Sequence, residues 1–264
     1  MSAKKGWNII SQFYQAKTTI SLEDVHYGPI SPGESELKLL GNVKGKNILE
    51  IGCGGGQNSI VLAKWGAKPV GLDLSEEQIK HARKLAKKEQ VNVAFHVGNM
   101  EDLSAFKDQA YDIVLSSFAL GYVNNLMKTF QETHRVLRKS GLFIVAIVHP
   151  IAHRGRVVRR GKRRMWAVTN YFDRRKRPWK WHTEKQTANF NTGHRTLQDY
   201  FDLLVNTGFH VERILEPEPY NLNKLSEHER KKIPYTSEYY TKYYDIWSKV
   251  PYTIIFKTRK QPNK

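Results

Sequence analysis

Cysteine is almost missing from this chain. Its one copy, Cys53, excludes an intramolecular disulfide and any zinc site built from several thiolates. Long apolar runs are missing too, and none approaches the roughly 18 residues that a bilayer span needs. The first residues, MSAKKGWNIISQFYQ, lack the unbroken apolar core of a secretory signal. Acidic side chains are scarce. Twenty-five Asp and Glu face 43 Lys and Arg, a net charge of +18 that favours acidic partners. With 264 residues, 40% of them hydrophobic and 26% charged, the chain has the make-up of a folded globular protein. The expectation is a cytosolic protein of one domain, monomer or homodimer, off the membrane and without a metal site.

The excess charge is local. Residues 151–185 hold 13 Lys and Arg against only Asp173 and Glu184, a net of +11, so the rest carries +7. That is more than twice an even share of the basic residues.

From about residue 47 to 150, short apolar runs alternate with segments of helical period, the pattern of a parallel α/β sheet. NILEI (47–51), PVGLD (69–73), VAFHV (93–97), YDIVLSS (111–117) and LFIVAIV (142–148) read as buried strands. Between the second and third, Ser75 and Gln78 predict a capping box. Glu76 and Glu77 suit the first turn of that helix, and Lys87 and Lys88 its last. Ile79, Ala82, Leu85 and Ala86 give it an apolar face. A second helix is expected from about Asn124, with Leu126, Phe130 and Leu137 on one face, stopping near Gly141 as a C′ glycine.

Residues 151–192 break the rhythm: they are basic, carry Trp166, Tyr171, Phe172, Trp179, Trp181 and Phe190, and show no period. A helix marked by Leu197, Tyr200, Phe201 and Leu204 and ended by Gly208 then leads into a strand at 209–215. Residues 217–250 form a second irregular insertion, Tyr-rich at 235, 239, 240, 243 and 244, before a final strand at 252–260.

The sharpest local signal is Glu50-Ile51-Gly52-Cys53-Gly54-Gly55-Gly56-Gln57, directly after the first strand and opening a helix. Glycines here let the backbone turn sharply and approach a ligand. A dinucleotide fingerprint begun at Gly52 would need glycine where Gln57 stands. Asp73 ends the second strand, where a carboxylate can accept both hydroxyls of a ribose. Gly98-Asn99-Met100-Glu101 follows the third strand, Asp112 lies in the fourth, and Glu132-x-x-Arg135-Val136-Leu137-Arg138-Lys139-Ser140-Gly141 precedes the fifth.

In this order and spacing, residues 37–150 resemble the class I S-adenosylmethionine-dependent methyltransferases. Two departures stand out: Asn99 occupies a position that is commonly acidic, and Lys139-Ser140-Gly141 replaces Pro-Gly-Gly. The resemblance implies a Rossmann-like α/β fold with helices on both faces, strand order 3-2-1-4-5-7-6 and an antiparallel seventh strand. It implies S-adenosylmethionine as cofactor, with S-adenosylhomocysteine as product. The implied cofactor contacts begin with the glycine segment, Glu50, Gly52, Gly54, Gly56 and Gln57. They continue through Asp73, Leu74, Asn99 and Met100 to Ser116 and Ser117, with Tyr14 from the N-terminal segment. The flanks (Trp7 to Tyr14, Val25 to Pro29 and His149-Pro150) look like a prokaryotic small-molecule branch. The chain divides into an N-terminal cover (1–36), a cofactor-binding core (37–150), a basic aromatic lid (151–192), and the rest of the sheet (193–264) with its insertion at 217–250.

Methyl transfer asks mainly for positioning and exclusion of water, and for a general base only when the acceptor keeps its proton at neutral pH. His149, at the carboxyl end of the fifth strand, is expected either to contact the acceptor or to hydrogen-bond a nearby loop. His26 and Tyr27 either close over the methyl donor or pack a turn. His134 is expected at the edge of the core; His153, His182 and His194 are expected at the surface. Three functions compete. A small, anionic acceptor under a lid that presents arginines ranks above an RNA substrate gripped by the Arg- and Trp-rich stretch. An RNA base-amino enzyme usually has an Asn/Asp-Pro-Pro-aromatic turn, and Ser116-Ser117-Phe118-Ala119 stands there instead. A non-catalytic binding module ranks last.

Overall fold

The computed structural model describes residues 2–183, 186–237, 240 and 242–261, so Glu184 and Tyr239 lie outside it. Helix α1 (Ala3–Lys17) starts at Ser2, whose hydroxyl accepts from the Lys5 N–H, and leads to the short β1 (Thr19–Ile20) and α2 (Glu34–Leu37). The expected alternation follows: β2 (Asn47–Ile51), α3 (Gln57–Lys64), β3 (Lys68–Asp73), α4 (Glu76–Lys88), β4 (Ala94–Val97), β5 (Tyr111–Ser117), α5 (Leu126–Val136) and β6 (Leu137–Val148). After α6 (Pro150–His153) come two hairpins, β7 (Gly155–Arg160) with β8 (Arg163–Val168), and β9 (Arg177–His182) with β10 (Thr187–Thr192). The chain ends with α7 (Leu197–Asn206), β11 (Phe209–Leu215), α8 (Glu227–Lys231), β12 (Tyr235–Thr236), α9 (Tyr244–Trp247) and β13 (Thr253–Lys260).

Seven strands form one sheet in the order β4-β3-β2-β5-β6-β13-β11. Numbered within the sheet, this is 3-2-1-4-5-7-6, and β13 runs antiparallel to both β6 and β11. The strand period of two sorts side chains to opposite faces. Leu49, Val114, Phe143, Val145 and Phe256 pack with Phe130 of α5 and Leu204 of α7. Ile48, Ile113, Ile144, Ala146 and Ile255 pack instead with Val61 and Leu62 of α3. Both faces are therefore dry, which explains why these strands read as continuous apolar runs. Among the described residues, no helix is long and apolar enough to cross a membrane.

Three local expectations need correction. Helix α5 stops at Val136, and Gly141 lies inside β6 rather than capping the helix. The left-handed residue is Ser140 (φ 57°), and Gly141 is small because a Cβ there would come within 2.9 Å of the Arg138 carbonyl. At α4, Ser75 does accept from the Gln78 N–H (3.2 Å), but the Gln78 side chain does not complete a box. Asp73 takes the Ser75 N–H instead (2.9 Å), freeing Gln78 to accept from Gln15. The stretch without period, 151–192, contains two regular hairpins. Their strands alternate exposed with half-buried residues too loosely for a clean sequence signal.

Candidate active site

The carboxyl ends of β2, β3 and β5 converge on a cavity of about 400 Å³ beneath α1, the usual ligand position in an open α/β sheet. Its floor is the glycine segment. Gly54 has φ 52°, and a Cβ there would meet nothing within 4 Å, so the backbone itself faces open cavity. Gly56 differs: at φ 80° it packs so closely that a Cβ would lie 2.7 Å from the Phe95 ring and 2.8 Å from Ala82. It does not line the cavity, and the expected cofactor contact there becomes a helix–sheet packing role.

Asp73 holds the floor in shape. One carboxylate oxygen accepts from Gly54 N–H and the other from Ser75 N–H, both at 2.9 Å. Burial pushes its carboxyl up, and those backbone donors oppose the push. Each oxygen keeps a lone pair for a ligand hydroxyl. Glu50 is buried beneath, accepting from the Ser59 hydroxyl (2.6 Å) and N–H (3.1 Å). Burial outweighs those bonds and pushes its carboxyl up to about 7. Gln57, Leu74, Asn99, Met100, Ser117 and Tyr14 also line the cavity. Ser116 does not: its hydroxyl donates to the Ile51 carbonyl (3.1 Å), pinning β5 to β2.

The three expected catalytic residues part company. His26 lines the cavity, its ring edge-on to Tyr235 at 5.2 Å and its Nδ1 3.4 Å from the Ser117 hydroxyl. Burial lowers it to about 4, so it is neutral at pH 7. Tyr27 is fully buried away from the cavity and donates to Glu34 (2.6 Å), which in turn accepts from the Leu39 and Leu40 N–H groups. It packs the turn. His149 lines neither this cavity nor the next. Only 3% exposed, it caps α6 by accepting from the Ile151 N–H (3.1 Å), and its Nε2 lies 2.8 Å from Glu216. Of its two expected roles, the loop-bonding one fits the geometry.

A second cavity, about 410 Å³, adjoins the first. Trp7, Tyr14, Phe118, Tyr122 and Tyr235 line both and form the wall between them. The Tyr14 and Tyr235 hydroxyls meet at 2.8 Å across that wall. Burial raises both, Tyr14 to about 12, so they stay protonated. Hairpin β9–β10 closes the far side with Arg177, Trp179 and Trp181, while Trp179 stacks on Phe190 at 4.5 Å. His153 and His194 also line this cavity, and His194 is only 2% exposed, against the expected surface position. His182 is exposed as expected, and His134 packs edge-on to Phe209 at the border of the core. The arginine run at the tip of β7–β8 lines neither cavity.

Gln15 had no sequence signal. It lies across the glycine segment, accepting from Gln57 (2.7 Å) and donating to Gln78 (2.8 Å), so three distant glutamines close the cavity roof. Arg195 and Tyr235 were equally silent as site residues, because only the fold brings 177–195 and 235–252 to the same strand ends.

Comparison with known proteins agrees with this geometry. The family described as "Methyltransferase domain" matches residues 49–145. An uncharacterised Haemophilus influenzae protein is 29% identical over 215 residues, covering 78% of this chain and 83% of its own length. An uncharacterised methyltransferase of Bacillus subtilis is 35% identical over 109 residues, 41% of this chain and 43% of that relative. Among solved structures, a Listeria monocytogenes protein assigned as an S-adenosylmethionine-dependent methyltransferase superimposes with a TM-score of 0.65. It is 26% identical and covers 85% of this chain and 94% of its own.

Proposed function

The chain belongs to the class I S-adenosylmethionine-dependent methyltransferases, and on that premise we propose that it methylates a small anionic acceptor seated in the second cavity. One observation carries the reading: two cavities of similar volume share a single aromatic wall, with carboxylates on one side and arginines on the other. The residues of the first cavity fit the cofactor. Asp73 has lone pairs to spare for ribose hydroxyls, Gly54 leaves its backbone open, and Asn99 offers a side-chain oxygen beside Met100. When bound there, S-adenosylmethionine supplies an electrophilic methyl group on a sulfonium centre.

What the chain itself contributes is enclosure and alignment. Helix α1 roofs the first cavity, and β9–β10 acts as the lid of the second. No strong base faces the shared wall among the described residues. His26 is lowered to about 4 and the Tyr14 and Tyr235 hydroxyls are raised. Such a site suits an acceptor atom already nucleophilic at neutral pH.

The test is S-adenosylhomocysteine release with a panel of small carboxylates and phosphates, matched amines, and unmodified tRNA. Turnover confined to the anions supports the reading, and turnover confined to the amines overturns it. A second reading rests on β7–β8, whose tip carries Arg159, Arg160, Lys162 and Arg163 exposed and without a carboxylate partner among the described residues. That arm suits a phosphate backbone. Turnover of tRNA that is lost when those four become Ala would favour RNA.

A further inference from the structure

The second cavity is unusually aromatic. Ten of its 21 lining residues are Trp, Tyr or Phe, and none of the described ones is Asp or Glu. The rings are braced from behind. Trp179 rests on Phe190 and Tyr252 on Trp247, at centroid distances of 4.5 and 4.6 Å. Flat, fixed walls accept flat ligands.

Aromatic walls also attract cations, so the polar groups must decide the sign. The two histidines can be assigned from their bonds. The His194 Nε2 donates to the Tyr171 carbonyl (2.8 Å), which leaves its Nδ1 as an acceptor. The His153 Nδ1, 3.2 Å away, therefore donates to it, and the His153 Nε2 accepts from the Thr192 hydroxyl (3.2 Å). Both rings are neutral and satisfied, in keeping with the burial that lowers both. The remaining charges are Arg177, at the exposed rim and donating to the His153 carbonyl, and Arg195 inside. Arg195 Nη1 is buried with no acceptor. The neighbouring Tyr200 hydroxyl interacts with this guanidinium without satisfying Nη1, and Asp199 is engaged by Arg174 (2.7 Å) and by the Thr196 N–H (2.8 Å). Gly193 makes room for the guanidinium, since a Cβ there would stand 3.0 Å from Nη1.

We propose that the second cavity binds a planar aromatic or conjugated acceptor bearing one anionic group, and that Arg195 reads the charge. This rests on the methyltransferase reading for its purpose, but the binding claim stands apart from it. A carboxylate or phosphate would supply the acceptor that Nη1 lacks, while the ring fills the space among Trp7, Tyr122, Trp181 and Tyr235.

Calorimetric titration of the full chain with 2-naphthoate, 2-naphthol and 2-naphthylmethylammonium tests it, each with and without saturating S-adenosylhomocysteine. Naphthoate is expected to bind at least tenfold tighter than naphthol, with the ammonium weakest. Arg195→Gln should weaken naphthoate by tenfold or more while leaving naphthol and S-adenosylhomocysteine unchanged, which also shows that the variant is folded. Arg195→Lys should recover part of the loss. Tightest binding of the ammonium, or indifference of naphthoate to Arg195→Gln, overturns the charge assignment. If none of the rings binds while S-adenosylhomocysteine does, the cavity's assignment fails and the donor site survives. If S-adenosylhomocysteine does not bind, the donor reading fails, and the naphthoate titration alone decides this one.

Discussion

Replacing Asp73 by Asn separates the bracing that the carboxylate performs from the ribose contact proposed for it. Its oxygens accept the Gly54 and Ser75 N–H groups at 2.9 Å each, so it shapes the glycine floor before any ligand arrives. Asn has one acceptor oxygen and one NH₂ group. Whichever way it turns, one backbone N–H faces another donor, at a cost of about 1–3 kcal/mol in stability. Hydrogen bonds from ribose hydroxyls to a charged acceptor are worth about 1.5–3 kcal/mol apiece, and Asn keeps one weaker neutral bond. The loss of S-adenosylmethionine affinity is therefore expected at about 2–4 kcal/mol, roughly 30- to 1000-fold. Thermal unfolding without ligand reads the first effect, and calorimetry at a temperature where the variant is folded reads the second. Asp73→Ala is the poorer probe because it removes both backbone acceptors. If Asp73→Asn lowers the melting temperature but leaves affinity within threefold of wild type, the residue only braces the loop and the ribose assignment is wrong.

The neighbouring glycines should split in the same two assays. Gly54→Ala and Gly56→Ala both pay for a left-handed backbone, about 1–2 kcal/mol. Only Gly56→Ala adds a clash with Phe95 and Ala82, so it should melt lower, whereas Gly54→Ala should mainly weaken the cofactor. Equal behaviour in both assays would contradict this division. His149→Ala should cost about 1 kcal/mol of stability through its lost cap and leave the turnover rate intact; a folded variant that has lost turnover would return His149 to the chemistry. Stability should depend on pH in two opposed ways. Burial lowers His26 and His153 to about 4, so the unfolded chain takes up protons below about 6.5 that the fold refuses, and stability falls as pH drops through that window. Glu50, raised to about 7, instead costs stability as pH climbs from about 4.3 to 7. Denaturant unfolding should show Glu50→Gln gaining on wild type between pH 5 and 8; a constant offset would show that Glu50 does not titrate in that range.

Much of this protein was decided along short stretches of chain. Buried parallel strands need dry side chains on both faces, so NILEI and LFIVAIV could be read as strands from composition alone. The glycine segment and Asp73 lie next to one another at strand ends, so the first cavity was legible as a local motif with its flanking carboxylates. Local reading failed where a residue's partner is remote. Gly56 and Ser116 looked like ligand contacts because their neighbours line the cavity, yet each faces protein: Gly56 the Phe95 ring, Ser116 the Ile51 carbonyl. His149 stands at the right strand end, but the ring's direction is set by the α6 turn and Glu216, 67 positions away. The same limit hid the second cavity. Tyr14, Trp181, Arg195 and Tyr235 carry no shared pattern, and they meet only because the sheet, α1 and the β9–β10 hairpin bring their segments to one place. A motif reports what neighbouring residues do to the backbone; a cavity depends on side-chain directions that long-range packing sets.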